Sequence, residues 1–307
     1  MSNAHTTAGN AYSAAPLALP DAGERKPYTL FDLKLASPII GAYISGVDLS
    51  KPLSDAAFDE IDRALAEHTV IFFRDQTLTP EQHIALAERF GEIDVNRFFK
   101  PDDRYPQIAE VRKEAGHKAN IGGGWHTDHS YDQIPAKASL LYARELPPVG
   151  GDTIYVNAIA AYEALSPGLQ RTLGGLKSVH SSRHVFGANS RALAESDLQG
   201  RVLNPELATQ DAVHPVVFTH PRTGKKALFV NPGFTVRFDG WTEAESAGLL
   251  AFLYEHHKRP EFAHRFQWKP GSLAIWDNRT TWHVAVNDYA GQRRLLHRIT
   301  VKGAALN

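Results

Sequence analysis

The ten residues Gly122-Gly123-Gly124-Trp125-His126-Thr127-Asp128-His129-Ser130-Tyr131 carry the pattern on which the fold and the chemistry of this chain depend. His126 and Asp128 are two positions apart, and alternate side chains of an extended segment point to the same side. Their Cα atoms would lie about 7 Å apart, at roughly 3.3 Å per residue, so that the imidazole and the carboxylate can bind one metal ion. A single His-x-Asp pair also arises by chance in a chain with 15 histidines, so the pair needs support from elsewhere in the sequence.

A third metal ligand is expected from His283, which follows the apolar segment 273–276 near the C-terminus. Two histidines and one carboxylate on one face of an iron ion leave the opposite positions open for a co-substrate and O2, as in non-heme Fe(II) oxygenases. The pattern therefore favours an iron site of that kind.

The composition is ordinary for a globular protein and excludes several function classes. The 307 residues allow one large domain or two smaller ones, and we predict a single domain over residues 27–307. Residues 1–26, rich in Ala, Gly, Ser, Thr and Pro, are predicted to form a flexible arm without the features of a secretory signal. Lys and Arg number 33 against 34 Asp and Glu, and this balance indicates neither a nucleic-acid surface nor a membrane-binding patch.

The absence of cysteine excludes disulfides, thiolate nucleophiles and zinc–thiolate sites, and agrees with a reducing compartment. No apolar run reaches the 18 residues that a membrane span needs. We therefore expect a cytoplasmic protein without membrane partners.

Short strands dominate the pattern of apolar residues. Alternating or continuous apolar runs predict strands at 31–35, 39–48, 70–73, 107–112, 138–144, 153–157, 177–181, 213–219, 227–230, 262–268, 272–276 and 295–301. Helices are predicted to begin at the cap Ser54 and at Thr79, and one clear helix, 242–257, is predicted among the later strands. Residues 182–211 are predicted to be a long polar loop, and the hypothesis is that it forms a lid. The pattern indicates a mainly β, α+β fold, a double-stranded β-helix of the jelly-roll, cupin-like type, whose mouth suits a small ligand.

The last predicted strand carries two arginines on one face. Arg294 and Arg298 are four positions apart, so their Cα atoms are separated by roughly 13 Å. If this face lines the barrel interior, each guanidinium needs an anionic partner, such as a carboxylate or sulfonate of a ligand. If the face is exposed, both are ordinary surface charges, and the strand pattern alone leaves both interpretations open.

Seven stretches together resemble the taurine dioxygenase (TauD/TfdA) family of Fe(II)- and 2-oxoglutarate-dependent dioxygenases. In chain order they are residues 125–128, 150–153, 160–165, 214–217, 228–231, 276–279 and 292–298. They follow the family order from about residue 30 to the C-terminus. The resemblance implies His126, Asp128 and His283 as iron ligands, and these three also as the catalytic residues. It further implies that Thr153 and Arg294 hold the distal carboxylate of 2-oxoglutarate.

The same resemblance implies residues for the primary substrate. Arg298 matches the family position that binds its anionic end. Phe186 and Phe234 match positions that line its pocket, and their alternative role is packing in the core. His129 is expected beside the ligands or at the surface, with metal ligation as the lesser alternative. Trp125 and Trp282 are expected to pack against the iron histidines and orient them.

One departure from the family pattern concerns substrate choice. Taurine-specific members have a sulfonate-binding histidine after the Phe-Gly-Glu turn, and residues 90–99 contain none. Asn96 or Arg97 is expected to replace it. The resemblance then implies a small anion larger and more apolar than taurine: an alkanesulfonate, an alkyl sulfate or an aryloxyalkanoate.

The family chemistry uses O2 and converts 2-oxoglutarate to succinate and CO2 while a substrate C–H bond is hydroxylated. Where that carbon bears a sulfonate, sulfate or aryloxy group, the product separates into a carbonyl compound and a leaving group. Family members are commonly dimers or tetramers, so a homo-oligomer is expected.

Two other function classes remain open at this point. A zinc-dependent hydrolase could use the same His/Asp/His site with a metal-bound water. Against it, the His-x-His-x-Asp-His run of metallo-β-lactamase-type enzymes would need a histidine where Gly124 stands, and the two arginines would have no role. A barrel that only binds small anions is the third class, although all the metal and co-substrate positions of the family are filled here.

Overall fold

The computed structural model describes residues 26–198 and 201–306, so the predicted flexible arm lies outside the described residues except for Lys26. Its strands are β1 (Asp32–Leu35), β2 (Ala42–Ser45), β3 (Val70–Phe73), β4 (Ile93–Asp94), β5 (Ala109–Lys113), β6 (Ala136–Glu145), β7 (Thr153–Asn157), β8 (Lys177–Ser181), β9 (Asp211–Pro215), β10 (Val217–Thr219), β11 (Lys226–Leu228), β12 (Thr235–Phe238), β13 (Ala263–Phe266), β14 (Leu273–Asp277), β15 (Thr281–Ala285) and β16 (Arg294–Lys302). Its α-helices are α1 (Asp55–His68), α2 (Pro80–Phe90), α3 (Ala158–Glu163), α4 (Pro167–Leu173), α5 (Arg183–Phe186), α6 (Arg191–Ala194) and α7 (Glu243–His257), and 3-10 turns occupy Pro205–Leu207 and Pro260–Phe262.

The largest sheet runs in the order β1-β2-β3-β14-β6-β16-β4, and β5 also pairs with β16. The pair β2–β3 is parallel, whereas β14, β6 and β16 lie antiparallel to their neighbours. Both faces of this sheet are buried, which explains the nearly continuous apolar runs of its central strands.

Alternation along β3 and β14 separates the two faces of the large sheet. Ile71, Phe73, Leu273 and Ile275 face a core that the amphipathic helices α1 and α2 complete with residues such as Ile61 and Leu86. Val70, Phe72, Ala274 and Trp276 face the opposite way, into the interior of the barrel. The two-residue period of a strand accounts for this division.

The sheet β13-β7-β15 closes the barrel on the interior side. Phe266 of β13 stacks on Phe72 of the large sheet with ring centroids 4.2 Å apart, and Tyr155 of β7 lies in the same core. The third sheet, β12-β8-β9, is covered by α3 and α7 through residues such as Phe238 and Leu250. Packed, mostly antiparallel sheets with helices outside are the predicted jelly-roll architecture.

The helix starts predicted at Ser54 and Thr79 are present, and the helix predicted over 242–257 is α7, with Thr242 as its cap. Ser54 Oγ accepts a hydrogen bond from the backbone N–H of Ala57, and Thr79 and Thr242 form capping boxes with Gln82 and Glu245. Three predicted strands, 70–73, 153–157 and 177–181, have the observed bounds.

Other expectations need correction. The segment 213–219 forms two strands, β9 and β10, and α3 and α4 contradict the expectation of a single helix among the later strands. The described part of 182–211 contains two short helices and a 3-10 turn, so it is not a featureless loop. Among the residues that the structure describes, no helix is long and apolar enough to cross a membrane. The single-domain boundary stays a prediction.

Candidate metal and co-substrate site

The two candidate iron histidines are joined through their backbones. His126 and His283 form a β-bridge in which each backbone N–H donates to the other residue's carbonyl, at 3.1 and 2.8 Å. This pairing brings the ring centroids to 4.2 Å. His283 lies on β15, whereas His126 belongs to no longer strand, and the chain turns at Asp128. The extended conformation predicted for this segment is therefore limited to the β-bridge at His126.

The three candidate ligands converge. His126 Nε2 lies 3.6 Å from Asp128 Oδ1, and His283 Nε2 lies 4.0 Å from Asp128 Oδ2. All three donor atoms lie within 4.8 Å of one another. Neighbouring donors on an octahedral ion with bonds of about 2.1 Å are separated by roughly 3 Å, so a small inward shift of the side chains would suffice.

Hydrogen bonding and burial give the donors the protonation states that a metal needs. His126 Nδ1 lies 2.7 Å from the carbonyl oxygen of Gly124, which favours the proton on Nδ1 and leaves the Nε2 lone pair free. Burial, reinforced by the nearby His126, lowers the pKa of His283 well below its usual value and keeps the ring neutral. Neutral imidazole is the form that binds metal ions.

Two buried side chains donate hydrogen bonds to the carboxylate of Asp128. Arg298 Nη1 donates to Oδ1 at 2.9 Å, and Ser139 Oγ donates to Oδ2 at 2.8 Å. Burial opposes ionisation, but the charge of Arg298 and the hydrogen bond with His126 outweigh it, and the pKa of Asp128 falls well below its usual value. The donor set therefore fits a divalent metal: two imidazole nitrogens and one carboxylate.

Arg294 marks a second part of the same cavity. It is 3% exposed, and its Nε and Nη2 atoms are buried without a hydrogen-bond partner. Gly151 makes room for it, since a Cβ there would lie 3.1 Å from Arg294 Cδ. Thr153 also lines the cavity, and its Oγ1 accepts a hydrogen bond from Trp268 Nε1 at 3.0 Å. A buried guanidinium with unused donors fits the carboxylate of a co-substrate.

A cavity of about 530 Å³ connects these groups. His126, Asp128, His283, Thr153, Arg294 and Arg298 all line it. Arg294 and Arg298 share the interior face of β16 and are both buried, so they are not surface charges.

Aromatic and aliphatic side chains form most of the remaining cavity wall. Phe186 and Phe234 are buried and line it, and Tyr131 and Phe99 lie beside them. Phe186, Val185 and Leu198 come from the segment predicted to be a lid, so its described residues cover one side of the cavity. Trp282 is buried and stacks on His257 with centroids 3.9 Å apart, which agrees with a packing role next to His283.

Two expected substrate residues do not reach the cavity. Arg97 is paired with Asp132 at 2.5 Å, and Asn96 Oδ1 accepts hydrogen bonds from the backbone N–H groups of Phe98 and Phe99. Neither residue lines the cavity. Nearby protein groups already use their polar atoms in this geometry, so the expectation that one of them replaces the missing histidine as a direct ligand stays a prediction that the cavity lining does not support.

His129 is buried, which excludes its expected position at the surface. A φ of 56° turns the chain here, and Nδ1 lies 3.0 Å from Asp94 Oδ2 and 3.1 Å from Asp132 Oδ2. Burial lowers the pKa of His129, but the two carboxylates outweigh it and raise the pKa to about 9. Asn96 Nδ2 is a donor 3.3 Å from His129 Nε2 and therefore favours a neutral ring with a free lone pair on Nε2. The two carboxylates outweigh this contact, because hydrogen bonds between charged groups are stronger.

No local sequence pattern identifies the residues that support Asp128. Ser139 accepts a hydrogen bond from Asn278 Nδ2 at 3.0 Å, and Asn278 Oδ1 accepts one from Trp276 Nε1 at 2.6 Å. The stretch 276–279 was noted as part of the resemblance, but its role in orienting Ser139 could only follow from the pairing of β14 with β6.

Comparisons with known proteins agree with this site. A family model described as "Taurine catabolism dioxygenase TauD, TfdA family" matches residues 30–300. An alkylsulfatase from Acinetobacter baylyi is 36% identical over 281 residues, which cover 91% of this chain and 87% of that protein. An alpha-ketoglutarate-dependent 2,4-dichlorophenoxyacetate dioxygenase from Cupriavidus pinatubonensis is 34% identical over 283 residues, 86% of this chain and 94% of its own length. The crystal structure of a taurine dioxygenase from Burkholderia xenovorans superposes with a TM-score of 0.76 at 36% identity, covering 91% of this chain and 93% of the other.

These matches confirm the predicted fold and the predicted enzyme class, a dioxygenase that depends on 2-oxoglutarate (alpha-ketoglutarate) and iron. They give no support to a zinc hydrolase. The match over residues 30–300 covers most of the chain, which therefore belongs to the TauD/TfdA family of dioxygenases.

Proposed function

We propose that this protein hydroxylates a C–H bond of a small organic anion with an apolar body, using Fe(II), 2-oxoglutarate and O2. The observation that carries the proposal is one cavity that holds three candidate metal ligands and a buried Arg294 whose Nε and Nη2 atoms have no hydrogen-bond partner. The names of the relatives suggest alkyl sulfates, alkanesulfonates and aryloxyalkanoates as candidate substrates.

His126, Asp128 and His283 would hold the iron ion. Bound iron, with 2-oxoglutarate and O2, supplies the oxidant that converts a substrate C–H bond to C–OH, with succinate and CO2 as co-products. Asp128 contributes the negative charge of the site, and its low pKa keeps that charge at neutral pH. If the hydroxylated carbon bears a sulfonate, sulfate or aryloxy group, the product collapses to a carbonyl compound and the leaving group.

Arg294 and Thr153 would bind the distal carboxylate of 2-oxoglutarate. The free Nε and Nη2 atoms of Arg294 can form the paired hydrogen bonds that a carboxylate accepts from arginine. The Thr153 hydroxyl accepts from Trp268 and can still donate its own hydrogen.

Arg298 would bind the anionic group of the primary substrate. A guanidinium has five N–H donors, so Arg298 can keep its bond to Asp128 and still donate to a second anion. Phe186 and Phe234 would contact the apolar body of the substrate and, with the segment above them, exclude water from the reaction.

A substrate panel tests the proposal. Enzyme loaded with Fe(II), ascorbate, 2-oxoglutarate and O2 is given alkanesulfonates, alkyl sulfates and aryloxyalkanoates, and succinate is measured. We expect at least one of these anions to raise succinate release well above the level without substrate. The proposal is wrong if the loaded enzyme releases none with any of them.

A further inference from the structure

We propose that Asn96 is a positioning residue that determines substrate preference by holding Phe98 and Phe99 as an aromatic wall beside Arg298. This inference rests on the proposed function. It assigns to this chain a preference for anions with a bulky apolar body over small polar ones such as taurine.

The first step is the backbone geometry that Asn96 imposes. Its Oδ1 accepts hydrogen bonds from Phe98 N and Phe99 N, both at 2.9 Å. Asparagine side chains commonly fix a turn by bonding to backbone N–H groups a few residues later. These two bonds fix the direction in which the two aromatic side chains leave the chain.

The second step is what those rings contact. Phe98 stacks on Phe186 with centroids 4.5 Å apart and planes 23° apart, and Phe99 meets Phe186 edge-on at 5.7 Å. The guanidinium carbon of Arg298 lies 5.2 Å from the centroid of Phe99. Phe99 thus contacts both the apolar wall and the arginine that would bind the substrate anion.

The third step separates Asn96 from the other contacts of the segment 96–99. On its outer side, Leu203 N donates to the Phe98 carbonyl and Asn204 Nδ2 donates to the Arg97 carbonyl, both at 2.8 Å. Asn204 is exposed and does not line the cavity. Its side-chain amide also bonds to the backbone of this segment, but as a donor to a carbonyl and not as an acceptor from N–H groups. Asn204 is therefore a control for the loss of a side-chain bond to this segment outside the cavity.

The experiment compares the wild type with Asn96→Ala, Asn96→Asp and Asn204→Gly, where glycine suits the positive φ of that position. Asn96→Asp keeps a side-chain oxygen that can accept both N–H groups. Each Fe(II)-loaded enzyme is tested with the bulkiest anion that the wild type oxidises. Anaerobic titration of the visible charge-transfer band measures 2-oxoglutarate binding.

For Asn96→Ala we expect the KM of the bulky anion to rise about tenfold, as the loss of about one net hydrogen bond implies. More 2-oxoglutarate should be consumed per product, because the substrate is held less firmly. Binding of 2-oxoglutarate should change less than about twofold, since Arg294 is untouched. Asn96→Asp and Asn204→Gly should stay close to the wild type.

Hydrogen–deuterium exchange provides a readout that needs no turnover. The amides of Phe98 and Phe99 should exchange faster in Asn96→Ala and at the wild-type rate in Asn96→Asp. Unchanged exchange and an unchanged KM in Asn96→Ala would overturn the inference, as would an Asn96→Asp variant as impaired as Asn96→Ala. A wild type that releases no succinate with any anion overturns the proposed function instead, and the exchange rates then still decide whether Asn96 positions the two rings.

Discussion

The metal-ligand end and the co-substrate end of the cavity differ in how their buried charges are compensated. At the first, Asp128 is paired with Arg298 at 2.9 Å and accepts a further hydrogen bond from Ser139. At the second, Arg294 is equally buried but has no carboxylate within 4 Å among the described residues, and two of its nitrogens have no partner. The buried charge at the first end is compensated within the chain, whereas the second end leaves two guanidinium nitrogens free for a ligand.

This difference follows from the chemistry of arginine. A buried carboxyl or imidazole group can change its protonation state when it lacks a partner, whereas a guanidinium keeps its charge in proteins. Burial lowers the pKa of Arg294 but leaves it cationic at neutral pH. A ligand carboxylate can therefore compensate the buried charge of Arg294. This compensation would contribute favourably to the free energy of 2-oxoglutarate binding.

The largest effect is expected from breaking the metal-ligand end. Asp128→Asn removes the anionic ligand and leaves Arg298 without its partner. We expect substrate-dependent succinate release to fall by more than about 100-fold, since losing a hydrogen-bond partner of a ligand already costs about 10- to 100-fold. Ser139→Ala removes such a hydrogen-bond partner, so its succinate release should fall by about 10- to 100-fold. Iron content after dialysis distinguishes lost metal from lost chemistry, and an active Asp128→Asn enzyme with bound iron would contradict the assignment.

Replacing each arginine by methionine sharpens the comparison, because stability should change in opposite directions. In metal- and ligand-free protein, Arg298→Met leaves Asp128 buried without its cation and should lower the free energy of unfolding by about 3 kcal/mol. Arg294→Met removes an uncompensated charge and should raise it by about 1 kcal/mol or more. Denaturant unfolding measures both. Equal destabilisation by the two variants would show that the two ends do not differ.

Kinetics of the alanine variants test the same contrast with ligands present. Arg294→Ala should chiefly raise the KM for 2-oxoglutarate, and Arg298→Ala should chiefly impair use of the primary substrate. The reversed pattern would exchange the two roles.

Sequence patterns predicted those parts of the molecule that local periodicity encodes. The continuous apolar run 70–73 and the helix starts at Ser54 and Thr79 are local signals, and each was confirmed. β15, which carries His283, was not predicted, because its cavity-facing side is polar and interrupts the apolar pattern. α3 was missed because six residues are too few to show a helical period.

The candidate site divides in the same way. The His126–Asp128 spacing and the pair Arg294–Arg298 are visible in the sequence, and the structure brings all four to one cavity. The hydrogen-bond partners of Asn96 and Arg97 could not be predicted. Tertiary packing decides whether these side chains face the cavity or bind protein groups, here the backbone N–H of Phe98 for Asn96 and the carboxylate of Asp132 for Arg97. Residues that act through long-range hydrogen bonds leave no local pattern.

The smallest effect on activity is expected from a buried group that does not line the cavity and that, unlike Arg294, can lose its charge. His83 on α2 is fully buried, and neither ring nitrogen has a partner. Burial, with smaller contributions from Arg144 and His297, lowers its pKa from 6.5 to about 3. Between these values the unfolded chain binds a proton that the folded chain does not, so stability is present above pH 6.5 and is lost as the pH falls, by about 1.4 kcal/mol per unit.

His83→Leu should remove this contribution. We expect the Tm of the wild type to fall more steeply from pH 7 to pH 5 than that of the variant, while other buried histidines such as His257 keep some slope in both. His83→Gln is the control: it lacks the titrating ring but keeps a polar group, so it should flatten the profile even if its Tm at pH 7 is lower. If both variants retain the wild-type slope, His83 takes up a proton inside the fold, and a buried cation without a partner would then be tolerated here as well as at Arg294.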